Sequence, residues 1–178
     1  MPRGRSGLAL QRCGTSVTFP SYSEIVADAN VQTQTDAAWA NTEAAANAAG
    51  RREEGFWIRL NTGTRAYEFT ATVTGPVVGP GAGATIGLGS RPADTPGANG
   101  TTYTVASFHT HTPTAFRTVG RVIGPSGADV TADTNDDVAG VVYDYVESPA
   151  GSGSIPAAHP IGSAAQRYHS GPDRRQRV

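Results

Sequence analysis

The stretch VASFHTH, residues 105–111, says most about how this chain folds. Its first four residues favour a β-strand, and in a strand residues i and i+2 point to the same face of the sheet. His109 and His111 therefore extend from one side of a strand predicted over 102–110. Since two imidazoles on one side can reach a single ion, the stretch predicts a metal site at the end of this strand.

A downstream carboxylate completes the candidate ligand set. Asp129 ends the run GPSGAD at 124–129 and offers a hard oxygen ligand. Two neutral imidazoles and one carboxylate, with one position left for water, form the catalytic arrangement for Zn²⁺. Ser126 precedes Asp129 by three residues, a spacing that is also typical of a capping box at the start of a helix. Both interpretations of this pair stay open, and they can hold together.

Length and composition favour one folded domain. The chain has 178 residues, of which 38% are hydrophobic and 16% charged, with a formal net charge of -1. We expect a domain over 21–170 between flexible tails at 1–20 and 171–178. The arginines concentrate near both ends and the net charge is close to zero, so no basic face argues for a nucleic-acid partner.

The same composition limits the cell-biological and metal-binding options. No apolar run approaches the roughly 18 residues of a membrane span, so no membrane partner is expected. The start MPRGR lacks the apolar stretch of a signal peptide. We expect a protein made in the cytoplasm, with any export using a route that needs no signal peptide. Because Cys13 is the only cysteine, a metal must use histidines and carboxylates.

Local patterns predict the elements around the site. An Ala-rich helix, capped by Asp36 and ended by Gly50, should turn Ala38, Trp39 and Ala45 inward. A β-hairpin is expected over 55–74 with its turn at 61–63. The Gly- and Pro-rich residues 75–100 predict a long loop with at most one short strand, near 85–86. The remaining predicted elements are a helix over 126–137, a buried strand over 140–146 and a last strand around 166–169.

The order of these motifs resembles the JAMM/MPN metalloprotease fold. It is most similar to the bacterial branch found in polymorphic toxins and secreted effectors, in which a Glu-x-Gly-Gly-x-Ile hairpin precedes His-Thr-His and a later Ser-x-x-Asp. The corresponding stretches are REEGFWI (52–58), FHTH (108–111) and PSGAD (125–129), and the resemblance covers roughly residues 30–147. It implies an α/β fold, a mixed sheet flanked by helices with the layering of JAMM/MPN and cytidine-deaminase proteins.

The resemblance also implies a role for each site residue. His109, His111 and Asp129 would bind Zn²⁺, Glu53 would be the general base, and the Ser126 hydroxyl would stabilise an oxyanion. The implied reaction hydrolyses a peptide or isopeptide bond of a protein or peptide substrate. As a toxin or effector module, the chain would also meet export machinery or an immunity protein.

Alternatives remain open at two points. Glu54 replaces Glu53 as the base if the hairpin register slips by one residue, because adjacent strand residues face opposite sides. The function also has rivals: an inactive module that keeps the fold for interaction or autoprocessing, or deamidase or nuclease chemistry on the same ligands. Metal content separates the first rival, and the shape of the groove separates the second.

Overall fold

A computed structural model describes residues 17–146 and 152–174. The helices are α1 (Tyr22–Ala27), α2 (Ala29–Ala45) and α3 (Gly127–Asp136). The strands are β1 (Glu54–Asn61), β2 (Tyr67–Phe69), β3 (Val73–Thr74), β4 (Thr95–Gly97), β5 (Gly100–Thr110), β6 (Arg121–Val122), β7 (Ala139–Tyr145), β8 (Ser154–Ile155) and β9 (Ala165–Ser170). Cys13 and most of the two predicted tails lie outside the described residues. No helix in the described ranges is long and apolar enough to cross a bilayer.

A mixed sheet of seven strands organises the chain and confirms the predicted α/β class. Its order is β2-β1-β5-β7-β9, with β3 beside β1 and β4 beside β5. The pair β5 and β7 is parallel, whereas β1 and β9 run antiparallel to their neighbours. The short strands β6 and β8 form a separate two-stranded sheet. The strand that contains His109 and ends one residue before His111 therefore lies in the middle of the main sheet.

The strand register divides the sheet into two faces of different chemistry. Gly55 of β1 pairs with His109 of β5, which in turn pairs with Val142 of β7. Residues directly opposite each other share a face, and residues two apart along a strand do so as well. Ser107, His109 and Asp144 therefore belong to one face, and their immediate neighbours along the chain belong to the other.

One face packs against α2 and holds the apolar core. Trp39 of α2 stacks on Tyr143 with ring centroids 5.1 Å apart and meets Tyr145 edge-on. Phe56 and Phe108 pack beside each other on the same face, at 4.6 Å. Burying each such side chain contributes on the order of 2 kcal/mol. This confirms the predicted inward direction of Ala38 and Trp39, whereas Ala45 is only half-buried.

The opposite face packs against α3 and is polar. The Ser107 hydroxyl donates to the Asp133 carboxylate of α3 at 2.5 Å, and both side chains are buried. One turn earlier on the same helix, Asp129 approaches His109. Residues four apart share a helix face, so α3 lays a row of carboxylates over this side of the sheet.

The first helical region begins earlier than the sequence indicated. Asp28, not Asp36, caps α2 by accepting hydrogen bonds from the amides of Asn30 and Val31. Asp36 lies inside the helix, where its carboxylate accepts from the Tyr143 hydroxyl at 2.9 Å. An Asp side chain can cap a helix or accept hydrogen bonds from distant residues, and the contacts of Asp36 with distant partners give it the second role. The helix also ends at Ala45, before the predicted stop at Gly50.

The long Gly- and Pro-rich segment is a loop as expected, but its short strand lies elsewhere. Residues 85 and 86 form no strand, whereas β4 pairs with the start of β5 through Thr95 and Thr102. A tight turn connects these two strands, with Gly100 at φ 105°, a conformation that favours glycine. The short strand therefore forms at the end of the loop, where a tight turn lets it pair with β5, the next strand along the chain.

The hairpin, the β5 strand, α3 and the last two predicted strands are confirmed. The packed part of the chain also reaches beyond 21–170. Phe19 is 4% exposed in the core, and Arg174 is 3% exposed. The Arg174 guanidinium lies over the Phe19 ring at 4.4 Å and pairs with Asp94 at 2.8 Å. The two ends of the described chain thus hold each other against the sheet.

Candidate metal centre

The end of β5 brings two imidazoles together on the polar face. Nε2 of His109 lies 3.4 Å from one carboxylate oxygen of Asp129, and Nε2 of His111 lies 3.4 Å from the other. One donor atom from each of these residues lies within 4.8 Å of the other two donor atoms. The prediction that these three side chains converge is confirmed, and the group could hold a metal ion.

The start of α3 fixes the carboxylate of this group. Ser126 is the N-cap, and its hydroxyl accepts from the Asp129 amide at 3.3 Å. In return the Ser126 amide donates to Asp129 Oδ2 at 2.6 Å. The capping box predicted from the spacing is therefore present, and it holds the Asp129 carboxylate in place while both oxygens face the histidines.

A second carboxylate, which the sequence analysis missed, supports His111 from behind. Asp144 is fully buried on β7, and its Oδ2 lies 3.1 Å from Nδ1 of His111. An ionised carboxylate only accepts, so Nδ1 carries a proton and Nε2 is the nitrogen that faces Asp129. This is the usual outer partner of a metal-binding histidine. The sequence did contain a signal for this role, because Asp144 is an acidic residue near the end of an otherwise apolar predicted strand.

Asp144 is itself held by positive and polar groups. Arg121 donates to its two oxygens at 2.5 Å each, and the Gly124 amide donates at 2.9 Å. Burial alone raises the pKa of Asp144, but the hydrogen bonds from His111 and Arg121 outweigh it, so the pKa lies below its ordinary range. The carboxylate is therefore ionised at neutral pH and keeps a proton on Nδ1 of His111.

The electrostatics of the cluster favour a cation between the two imidazoles and Asp129. Burial lowers the pKa of His111. The hydrogen bonds to Asp129 and Asp144 together outweigh this effect and raise the pKa to about 9. For Asp129, burial raises the pKa, and the bonds to His109 and His111 bring it well below its ordinary value. Both shifts say that the surrounding charges favour an added positive charge.

Of the two glutamates at the start of β1, Glu53 lies on the polar face of the sheet. It precedes Gly55, the partner of His109, by two residues, and it is 6% exposed in the wall of the cleft. Burial raises the pKa of Glu53, and the neighbouring His111 and His109 lower it by a smaller amount. Glu54 lies on the other face, where Asn41 donates to it at 3.4 Å and Arg52 lies at 3.8 Å. The hairpin register therefore places Glu53, not Glu54, beside the histidines.

Gly55 allows β1 to pass close to the metal centre. A Cβ atom at this position would lie 2.5 Å from the Phe108 carbonyl oxygen and 3.1 Å from the Cβ of His109. Real Cβ atoms do not approach a carbonyl oxygen so closely, so only glycine fits without displacing the strand. The absence of a side chain at Gly55 thus allows β1 and β5 to lie as close together as they do.

The side chains of the metal centre line a cleft of about 620 Å³. Its floor is the polar face of the sheet with the start of α3, and the Gly-rich loop around 83–89 forms another wall. All five predicted site residues contribute to it: Glu53, His109, His111, Ser126 and Asp129. The sequence analysis missed the contributions of Ser107, Asp133, Arg117 and Arg121. They come from segments whose spatial neighbours only the fold defines.

The donor set is of a kind that could hold a metal ion. Imidazole nitrogens with one carboxylate, backed by an outer carboxylate on a ring nitrogen, are the groups that hold such ions in proteins. Comparisons with models of protein families, with curated proteins and with solved structures find no match for this chain. The resemblance to JAMM/MPN proteins therefore stays a prediction, and the chemistry is inferred from the residues of the cleft.

Proposed function

We propose that this protein is a zinc-dependent hydrolase of peptide or isopeptide bonds, similar in its site to JAMM/MPN metalloproteases. One observation carries the proposal: His109, His111 and Asp129 converge on the floor of a cleft with a buried Glu53 on the same face. Catalytic zinc sites combine three such ligands with an open position. A site that served only structure would be closed by a fourth protein ligand.

Zinc is the ion proposed for this set. Two imidazoles with one carboxylate suit zinc, whereas hard ions such as Mg²⁺ and Ca²⁺ prefer oxygen ligands throughout. When bound, zinc supplies Lewis-acid polarisation of a carbonyl oxygen and lowers the pKa of water. Binding requires neutral imidazoles, and the pKa of His111 is raised to about 9, so uptake of the ion would release the proton on Nε2, the nitrogen that faces Asp129.

Glu53 is the proposed proton acceptor. Its carboxylate borders the cleft next to the histidines but stands outside the group that could hold the ion. Its raised pKa brings it closer to the working pH, which makes it a stronger base for a water molecule than an ordinary carboxylate. Glu53 would then return this proton to the leaving amine.

Ser126 is the proposed donor to the substrate. Its hydroxyl accepts from the Asp129 amide, and accepting leaves the hydroxyl proton available for another acceptor. An exposed position in the cleft wall allows this proton to reach a carbonyl oxygen that gains negative charge during attack. Such a hydrogen bond is worth about 3 kcal/mol of barrier.

The proposed biological setting follows the resemblance alone. Under it, the chain is a bacterial toxin or effector module that acts on a protein or peptide after export. An immunity protein that covers the cleft would be the matching partner in the producing cell.

Two neighbouring glutamates provide the test. We expect zinc-loaded protein to cleave members of a mixed peptide and isopeptide library, detected by mass spectrometry. Glu53→Gln should lower the rate by about a hundredfold or more while zinc content is unchanged, because a base is lost and no ligand is. The matched control Glu54→Gln, on the opposite face, should keep both activity and zinc.

Three results would contradict the proposal. They are equal rates for Glu53→Gln and wild type, loss of zinc in Glu53→Gln, and absence of cleavage by the zinc-loaded wild type across the library.

A further inference from the structure

Arg117 is a charged side chain of the cleft that the proposed chemistry does not use. It lies in the loop between β5 and β6 and lines the same cleft as the metal centre. Among the described residues its guanidinium forms no ion pair, and its Nε is buried without a hydrogen-bond partner. A buried polar group without a partner is costly, so a group that supplies an acceptor would be favoured here.

The second guanidinium in the cleft wall already has a carboxylate partner, although its Nε, like that of Arg117, lacks a hydrogen bond. Arg121 donates to both oxygens of Asp144 at 2.5 Å and to the Thr112 carbonyl at 3.1 Å. Its charge is thus neutralised by a partner from the sheet, whereas that of Arg117 is not.

Three arginines lie close enough to act on one another near Arg117. Arg51, which is 1% exposed, donates to the Gly79 and Ala82 carbonyls and to the Thr112 hydroxyl, all neutral acceptors. Burial lowers the pKa of Arg117, and Arg121 lowers it further. Burial, and then Arg117 and Arg121, lower the pKa of Arg51, whereas Glu53 raises it by a smaller amount. An anion bound at Arg117 would relieve this mutual repulsion.

The backbone that carries Arg117 is fixed, so the guanidinium is presented from a defined place. The Arg117 amide donates to the carbonyl of Thr114, which is fully buried. The Thr114 hydroxyl in turn donates to the Pro156 carbonyl at 2.9 Å. On the other side, the Thr118 amide donates to the Pro80 carbonyl of the Gly-rich wall.

We propose that Arg117 binds a carboxylate of the substrate, so that the cleft selects peptides with a carboxylate close to the bond at the metal centre. Part of the lining fits apolar side chains of a peptide, since Trp57, Ile86, Leu88 and Ala132 contribute to it beside the carboxylates of Asp133 and Asp136. Arginine binds carboxylates through paired N–H donors. The carboxylate is either the C-terminus of the peptide or an Asp or Glu side chain. The inference rests on the proposed function in calling the peptide a substrate, but binding itself requires no hydrolysis.

The test is a titration calorimetry series with acetyl-capped alanine peptides. One peptide has a free C-terminal carboxylate and its twin has an amide there; a second pair carries a central Glu or Gln and an amidated end. The first titrations use protein from which metal has been removed with an uncharged chelator. Such a chelator does not compete for Arg117, and metal-free protein would not hydrolyse the peptide during the titration. The series is repeated with added Zn²⁺, since carboxylate binding to the ion itself would not depend on Arg117.

The expected result has a charge preference that depends on one arginine. Wild type should bind at least one carboxylate peptide about tenfold more tightly than its uncharged twin. The pair that shows the preference identifies the source of the carboxylate. Arg117→Gln should lose the preference, Arg117→Lys should keep part of it, and the control Arg65→Gln, at an exposed turn away from the cleft, should keep all of it.

Failure of this inference is distinct from failure of the hydrolase proposal. Equal binding of charged and uncharged twins by wild type, including no binding of either, overturns the role of Arg117, and so does a preference that survives in Arg117→Gln. Peptides that bind through Arg117 but are never cleaved with zinc present overturn only the hydrolase. Circular dichroism and zinc content of Arg117→Gln should equal those of wild type.

Discussion

The two faces of the central sheet are built from alternate residues of the same strands, yet they do different things. On β7, Tyr143 stacks on Trp39 in the core, while the next residue, Asp144, faces the opposite way and holds His111. On β5, Phe108 is buried against Phe56, while His109 faces Asp129. The period of two in a strand thus separates the residues that stabilise the fold from those that form the site.

The comparison also shows how a buried polar face is tolerated. The apolar face gains its stability from contact area, but the polar face must satisfy each buried charge. Asp144 does so with His111, Arg121 and the Gly124 amide, and Asp129 does so with Ser126 and the histidines. The polar face is therefore a network, in which removal of one member leaves another unpaired.

The largest expected effect is on the apolar face. Trp39→Ala should lower the free energy of unfolding by about 4 kcal/mol, because a large buried side chain is lost and a cavity remains. Denaturant titration measures this change. Under native conditions the zinc content should equal that of wild type. Loss of zinc in the folded variant would show that the two faces are not separable.

The next effect concerns the network of the polar face. Asp144→Ala leaves Arg121 and His111 without their partner and should cost about 3 kcal/mol of unfolding free energy. Zinc affinity should fall about tenfold to a hundredfold, because the outer carboxylate orients a ligand. Competition with a chromophoric chelator measures the affinity.

The matched control for that variant lies on the α2 side. Asp36 pairs with Arg167 at the same distance of 2.5 Å, but its side chain is 56% exposed. Asp36→Ala should therefore cost about 1 kcal/mol or less and should not change zinc affinity. Equal losses in the two variants would remove the distinction between a buried network and a surface pair.

A smaller effect is expected from a methyl group at the metal centre. Gly55→Ala places a Cβ atom against the Phe108 carbonyl and should cost about 2 kcal/mol while weakening zinc binding. Gly83→Ala is the control, because open space surrounds that glycine in the loop wall, and its effect should stay within about 0.5 kcal/mol. Thermal unfolding with and without zinc compares them. A neutral Gly55→Ala would argue against the close approach of β1 and β5.

The smallest effect appears at high pH on the apolar face. Burial and the hydrogen bond to Asp36 raise the pKa of Tyr143 to about 12. The unfolded chain loses this proton near pH 10 and the folded chain does not, so stability should fall as the pH rises from about 10 to about 12. Tyr143→Phe should lose about 1 kcal/mol at neutral pH and show a weaker alkaline decline. An unchanged decline in that variant would assign it to other tyrosines.

Much of the polar face was predictable because it depends on local spacing. His109 and His111 lie two apart in a strand-forming run, and Ser126 with Asp129 has the spacing of a capping box. Strand period and helix capping operate over a few residues, so a single sequence displays them. The α/β class was implied by the resemblance, which rests on the order of such local motifs.

The rest depended on pairing between distant segments. The parallel register of β5 with β7, which brings Asp144 to His111, involves residues 33 positions apart and leaves no local trace. The helix cap was assigned to Asp36 in place of Asp28 for the same reason. The partners of Asp36, Tyr143 and Arg167, are distant along the chain and could not be read from local sequence. Glu53 and Glu54 could be told apart only once Gly55 was paired with His109.

Metal content measured by elemental mass spectrometry tests the central claim most directly. Untagged wild type should carry about one zinc per chain after zinc is supplied and excess is removed. The double variant His109→Ala/His111→Ala should carry none, while His159→Ala/His169→Ala, which removes the other two histidines, should match wild type. Absence of bound metal in wild type, or zinc retained in the first double variant, would contradict the metal centre.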